Sequence, residues 1–338
     1  MSTTIPSESA AGSSPEGAHR SAPPSSGSLS VEPPAAGIVD LFFSDEYVAS
    51  VTAFDTTRKA GLLVANLRRE PIGGVRLLSP APAERADLDR IHDVDYVDAV
   101  LTGEPRWLAS SAGLGWDPGF VTALLASTGG CIAAARAAWQ QGVAGSLSSG
   151  LHHARSHGGA GYCTLNGVAL AALTFCDVGA ERVLVLDLDA HCGGGTADIL
   201  GGDDRITQLD VSTDAFDHYR PAGGSTLDLV RSADDYISTI ATRLTDLGPA
   251  SVDAVVYNAG MDPHAQCDTG GLDGIDDQVL AERERLVFEW ATGAGLPIAF
   301  VLAGGYSGRS LSVDHLTALH RLTVEAAARS LRPATASR

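Results

Sequence analysis

A strand candidate at residues 144–150 and short apolar runs at 182–186, 206–211, 252–257 and 297–302 alternate with helix-like stretches near 120–141, 165–175, 233–247, 276–292 and 311–331. Strands separated by helices of that length pair in parallel through right-handed crossovers. The alternation therefore predicts an α/β domain built on a single open, mostly parallel sheet with helices on both faces. Gly129-Gly130 predicts an interruption or kink in the first of these helices. Folded sequence is expected to begin near residues 38–43. Residues 1–36 are rich in Ser, Pro, Ala and Gly and bury too little apolar surface to offset the entropy of ordering, so they read as a disordered tail. The folded domain is expected over 37–332, with a second disordered tail at 333–338.

Polar residues gather just past the apolar runs: His152-His153, Asp187 to His191, Asn258 to Asp262, and Gly304-Gly305-Tyr306. The carboxyl edge of the strands is where open α/β sheets bind ligands. Asp187, Asp189 and His191 alternate, which places them on one face of an extended segment. Carboxylates concentrated there are costly to bury unless positive charge neutralises them. Asp189, His191 and Asp262 make a three-ligand set that leaves one position open. Zinc suits it first, and Fe2+, Co2+ or Mn2+ accept the same donors.

The adjacent His152 and His153 suit proton transfer, because imidazole titrates near neutrality. Neighbours on a strand point to opposite faces, so both reach one site only if the chain turns, which the flanking Gly150 permits. Tyr306, after two glycines, fits an oxyanion donor, a contribution of about 3 kcal/mol in a transition state. His157, in a Ser-His-Gly-Gly loop, reads as a bystander.

A formal charge of −18 argues against nucleic-acid or anionic-membrane partners, which require clustered Lys and Arg. The five cysteines include no C-x-x-C pair, so neither a disulfide framework nor a Cys-type zinc site is expected. No membrane span or secretory signal is evident, and a cytoplasmic location is the expectation.

Taken together, these residues resemble the zinc-dependent histone deacetylase family of the arginase/deacetylase fold, which includes the acetylpolyamine amidohydrolases. Residues 113–117 (Gly-Leu-Gly-Trp-Asp) resemble its G-x-G-x-D loop, and residues 151–154 its tandem-histidine motif. Gly161-Tyr162-Cys163 is similar to its G-F-C segment, with Tyr162 in place of a tunnel-wall Phe. The Asp187, Asp189 and His191 motif, residues 259–262 and Gly304-Gly305-Tyr306 follow in family order. The resemblance implies a deacetylase that hydrolyses an acyl amide, an N-acetyl group foremost, on a small-molecule or peptide amine. It also implies His153 as general base, His152 as electrostatic or acid partner, Asp187 as orienter of His152, and Asp117 as a substrate-backbone contact. A buried monovalent-cation site, for K+, would involve Asp187, Asp189, His191 and Ser212.

The chain also departs from the family pattern. Where the family carries an Asp or Asn that bonds the second histidine, this chain has Gly194, so His153 is expected to lack its usual orienter. Tyr219-Arg220-Pro221 stands where the family has a tunnel aromatic, which puts the Arg220 guanidinium on the wall. A one-residue slip would put Tyr219 there instead. Thr269 replaces a wall leucine. Two other functions stay open. An arginase-like ureohydrolase with two ions would need carboxylates that Gly193 and Gly260 do not supply, and an acyl-ligand-binding protein without turnover would be consistent with Gly194.

Overall fold

The computed structural model describes residues 37–51 and 54–331; the expected tails at 1–36 and 333–338 lie outside the described residues. Among the described residues eight strands form one sheet: β1 (Val39–Phe42), β2 (Val75–Leu78), β3 (Val143–Ser146), β4 (Val183–Asp187), β5 (Ile206–Ser212), β6 (Thr226–Leu229), β7 (Ala254–Asn258) and β8 (Ile298–Val301). Their spatial order is β2-β1-β3-β8-β7-β4-β5-β6, and every neighbouring pair is parallel.

The helices are α1 (Asp55–Arg69), α2 (Arg85–Leu88), α3 (Val94–Thr102), α4 (Arg106–Ala109), α5 (Pro118–Gln141), α6 (Gly167–Asp177), α7 (Gly194–Leu200), α8 (Ala233–Leu247), α9 (Asp277–Gly293) and α10 (Val313–Ser330).

Successive strand residues feed opposite cores, as the two-residue period requires. In β4, Leu184 and Leu186 join the core shared with α1, α8, α9 and α10, while Val183 and Val185 join the one shared with α3, α5 and α6. β7 splits likewise, with Val255 and Tyr257 on the first side and Ala254 and Val256 on the second. Burial on both faces explains why the central strands read as continuous apolar runs.

Helix α5 runs unbroken through Gly129-Gly130, where a kink was expected. The two glycines serve close packing instead. A Cβ at Gly129 would lie 2.7 Å from the Ala83 nitrogen, and one at Gly130 would lie 2.6 Å from the Ser146 hydroxyl. By length and apolarity α5 could span a bilayer. Here it is the central core helix, with Phe120, Leu124, Ile132, Ala135 and Ala138 buried. All five cysteines are free, in line with the absence of a disulfide framework.

Candidate active site

Strand β4 ends at Asp187, and the chain then folds back on itself through its own carboxylates. Asp187 Oδ1 accepts the Asp189 N–H (3.2 Å), and Asp189 Oδ1 accepts the His191 N–H (3.0 Å). From the tip after β7, Asp262 Oδ1 accepts the Ala190 N–H at 2.9 Å. From the loop after β8, Gly304 N–H donates to Asp189 Oδ2 at 2.5 Å. Three strand tips are thereby tied into one knot, and ligand atoms of Asp189, His191 and Asp262 all lie within 4.8 Å of one another. All three side chains are buried.

These residues fit a divalent ion. Asp262 Oδ2 is fully buried without a hydrogen-bond donor, a costly arrangement for an oxygen that binds nothing. It lies 3.1 Å from His191 Nδ1, which is also 3.1 Å from Asp189 Oδ1. Burial, and next the Asp189 charge, push the Asp262 carboxyl up to about 6. Burial opposes charge on His191, but its bond to Asp189 and the nearby Asp262 carboxylate outweigh that and carry it up to about 11. In effect a proton sits where two anionic oxygens and an imidazole nitrogen converge, and a divalent cation can replace it.

Among the described residues a second group, His264, Asp277 and His315, also clusters. There His264 Nδ1 accepts the Gln266 N–H (3.2 Å), which leaves its proton on Nε2, bonded to Asp277 at 3.0 Å. That nitrogen has no lone pair to offer a metal.

The tandem histidines both face the cluster because the chain turns as Gly150 allowed: Gly150 (φ +70°) and Leu151 (φ +61°) are both left-handed. The imidazoles lie side by side with centroids 4.0 Å apart and planes tilted by 37°. His152 Nδ1 bonds Asp187 Oδ2 at 2.8 Å, and its Nε2 is 3.6 Å from Asp189. Burial opposes its charge, yet the Asp187 and Asp189 carboxylates raise it to about 10. His153 goes the other way, lowered to about 4 by burial and by the charge on His152. One imidazole of the pair thus holds a proton and the other is free to accept one.

His153 does have a carboxylate partner, and it is one that the sequence reading missed. Asp217, in the loop after β5, places Oδ2 at 2.9 Å from His153 Nδ1.

A cavity of about 650 Å³ opens over this floor, lined at depth by His153, His191 and Tyr306. Burial, then the Asp262 and Asp189 charges, hold the Tyr306 phenol well above its ordinary range, so it stays a donor. The walls are Phe54, Gly161, Tyr162, Phe216 and Thr269. Phe54 packs on Tyr162 with centroids 4.5 Å apart, and Phe216 meets His153 edge-on at 5.0 Å. Asp55, Arg58, Asp214 and Asp268 complete the lining.

Arg220 is not on this wall. It lies in a separate cleft with Asp203, Asp204 and Tyr219. Thr213 and Asp214 N–H groups both donate to the Ala190 carbonyl, turning the chain so that Phe216 takes the wall. By Tyr219, whose hydroxyl is buried, the chain has left the cavity, so the one-residue slip does not describe it either.

Asp117 caps α5, accepting the Phe120 N–H at 2.9 Å and the Ser50 hydroxyl at 3.3 Å. Asp117→Ala is expected to cost about 1 kcal/mol of stability, as loss of an N-cap does, with KM unchanged. A raised KM at equal stability would instead give Asp117 the substrate contact.

Ser212 donates to Asp210, which pairs in register with Asp187 across β4 and β5. Burial and the Asp187 charge hold Asp210 well above the usual carboxylate range. Asp187, Asp189, His191 and Ser212 therefore stand at adjacent strand ends, together with a further buried carboxyl that the motifs did not reveal. Lys59 of α1 is another such residue, buried and donating to the Ala303 carbonyl just before Gly304.

Comparison with known proteins agrees with this fold. An uncharacterized protein of Picosynechococcus sp. is 35% identical over 238 residues, covering 69% of this chain and 79% of its own. Acetylpolyamine amidohydrolase 1 of Pseudomonas aeruginosa is 26% identical, covering 79% of this chain and 90% of its own. The crystal structure of an acetylpolyamine aminohydrolase from Burkholderia pseudomallei superposes with a TM-score of 0.70 at 21% identity, over 85% of this chain and 98% of that one. The fold is thus the arginase/deacetylase fold. The model of the histone deacetylase domain matches residues 53–322, nearly the whole described sheet together with its polar rim, and the chain belongs to that family.

Proposed function

We propose that this chain is a metal-dependent amidohydrolase that removes an acyl group, acetyl foremost, from a cationic amine. One observation carries the reading: a buried Asp189–His191–Asp262 donor set, a tandem imidazole pair and a phenol converge on one cavity. When bound, a divalent ion, zinc first, supplies Lewis acidity, polarising an acyl carbonyl and acidifying water.

The remaining work falls to side chains. His153, its Nδ1 engaged by Asp217, turns Nε2 to the cavity and takes the proton of the attacking water. His152, held charged by Asp187, stabilises negative charge beside it and supports return of a proton to the leaving amine. Tyr306 donates its phenolic proton to the oxygen on which charge develops. Phe54, Tyr162 and Phe216 exclude water around the chain that carries the amide.

The cavity carries three carboxylates, Asp55, Asp214 and Asp268, against the single guanidinium of Arg58. With Arg220 outside the cavity, that balance favours a positively charged amine, and an N-acetylpolyamine is the first candidate. A two-ion ureohydrolase is disfavoured sterically as well as by composition. A side chain at Gly260 would come within 2.5 Å of the Asp189 Cα, so a second ligand has no room there.

The test is a panel of N-acetylputrescine, N-acetylspermidine and an acetyl-lysine peptide presented to zinc-loaded protein. Release of acetate is expected, with the polyamines preferred. Failure to hydrolyse any acylated amine would overturn the reading.

A further inference from the structure

We propose that Asp217 is the positioning residue of His153, with Arg155 holding Asp217 in place. The carboxylate thus comes from the loop between β5 and β6, although the segment from His191 into α7, where Gly194 lies, is nearer in sequence to the candidate ligands. The role assigned to His153 rests on the proposed function; the hydrogen-bonded geometry does not.

Four observations converge. Asp217 Oδ2 is 2.9 Å from His153 Nδ1 and also accepts the Gly195 N–H at 3.1 Å. Its other oxygen pairs with the Arg155 guanidinium, which reaches the Gly194 carbonyl at 3.4 Å. The Asp217 side chain is only 4% exposed, so its charge is balanced by these partners rather than by water. Finally, an ideal Cβ at Gly194 would lie 2.6 Å from Asp217 Oδ1, 2.7 Å from its Cγ and closer still to its carbonyl oxygen. The backbone and the carboxylate of residue 217 thus occupy the space a side chain at position 194 would need, and this chain supplies the carboxylate from the second loop.

Asp217 holds this place with φ +59°, a left-handed conformation that Asp tolerates better than most residues. Its neighbour Phe216 packs edge-on against the same imidazole, with a ring-centroid distance of 5.0 Å. One loop therefore sets both faces of the problem: Phe216 shapes the wall that guides the substrate, and Asp217 fixes the ring that receives the proton. With Nδ1–H bonded to a carboxylate, the tautomer is set and the Nε2 lone pair faces the cavity.

The test uses the full-length, zinc-loaded protein with two variants: Asp217→Asn, which keeps the shape, and Asp217→Gly, which also suits the left-handed backbone. Two readouts are taken. One is the hydrogen-bonded Nδ1 proton of His153 in 15N-histidine-labelled protein, assigned by its loss in His153→Gln. The other is kcat and KM on an N-acetylated amine, with zinc content measured alongside.

Asp217→Gly is expected to abolish that proton signal and to lower kcat by about 10- to 100-fold, with KM and zinc content unchanged. Asp217→Asn, which keeps an acceptor but not the charge, is expected to shift the signal and to lower kcat by less. A purely structural role would lower kcat without moving the signal. A signal that survives in Asp217→Gly overturns the proposal. If wild-type protein hydrolyses nothing, the deacetylase reading falls, while the proton signal still decides whether Asp217 holds His153. Should Asp217→Gly fail to fold, Asp217→Asn decides alone: a shifted signal with reduced kcat supports the proposal, and an unchanged pair overturns it.

Discussion

Asp262→Asn is expected to remove turnover while making the metal-free protein more stable. The substitution keeps the shape of the side chain and an oxygen for the Ala190 N–H, which Asp262 Oδ1 accepts at 2.9 Å. What it removes is negative charge at Oδ2, a fully buried oxygen without a donor. Metal affinity should fall by more than the roughly 10–100-fold that loss of a ligand's outer partner costs, and hydrolysis should fall with it.

Stability of the ion-free form moves the other way, and its sign follows from the raised pKa of Asp262. Burial and the Asp189 charge carry Asp262 to about 6, against an ordinary value of 3.8. A carboxyl raised in the folded state binds its proton more tightly there than in the unfolded chain. It therefore contributes nothing unfavourable below the unfolded value, and its penalty grows between the two values and is complete above about 6. Two units correspond to about 2–3 kcal/mol at neutral pH. Metal-free Asp262→Asn should melt above metal-free wild type at pH 7, and the gap should close as pH falls towards the ordinary carboxylate range. Added zinc should raise the melting temperature of wild type far more than that of the variant. A variant that binds one ion per chain as tightly as wild type would remove Asp262 from the ligand set.

Two of the three proposed ligands were legible in sequence because they are local: Asp189 and His191 follow Asp187 at one strand tip, and burial on both faces makes β4 an unmistakable apolar run. Strands β2 and β6 were not legible, for the converse reason. Both are edge strands of four residues and only partly buried, so Arg76 and Asp228 interrupt any apolar pattern. Asp217 was missed because its partner His153 lies 64 residues away, and no spacing rule connects the two. The motif position that should have carried the carboxylate is a glycine, which shows what is missing but not what replaces it. Arg220 was misplaced because counting along a motif assumes that the intervening loop keeps its length and path. Here the loop turns back on the Ala190 carbonyl and presents Phe216 first. Function in this chain is written partly in strand tips, which sequence reveals, and partly in loop geometry, which it does not.

Gly304→Ala is expected to be as damaging as loss of a ligand, although residue 304 donates no side-chain atom. Its amide N–H holds Asp189 Oδ2 at 2.5 Å, and its carbonyl accepts the Met261 N–H at 2.7 Å, so the backbone here clamps both acidic strand tips at once. A Cβ at this position would lie 2.5 Å from Asp262 Cγ and closer still to the Oδ2 atoms of Asp262 and Asp189. Neither carboxylate can yield: Asp262 is pinned by Ala190 N–H, and Asp189 by the N–H groups of His191 and Gly304. The added methyl must therefore either spread the two ligands or push the loop outward, and the loop carries Tyr306 two residues on.

Overpacking of this kind costs about 1–3 kcal/mol of stability, which a domain of this size survives. The donor triangle does not, because a metal site tolerates displacements of only about 0.2 Å in its ligand distances. The variant should fold, lose zinc on dialysis and show turnover near background. Gly293→Ala is the matched control, since nothing lies within 4 Å of a Cβ there. Were Gly304→Ala to retain one ion per chain and wild-type turnover, the two carboxylates beside it could not be the ones that hold the ion.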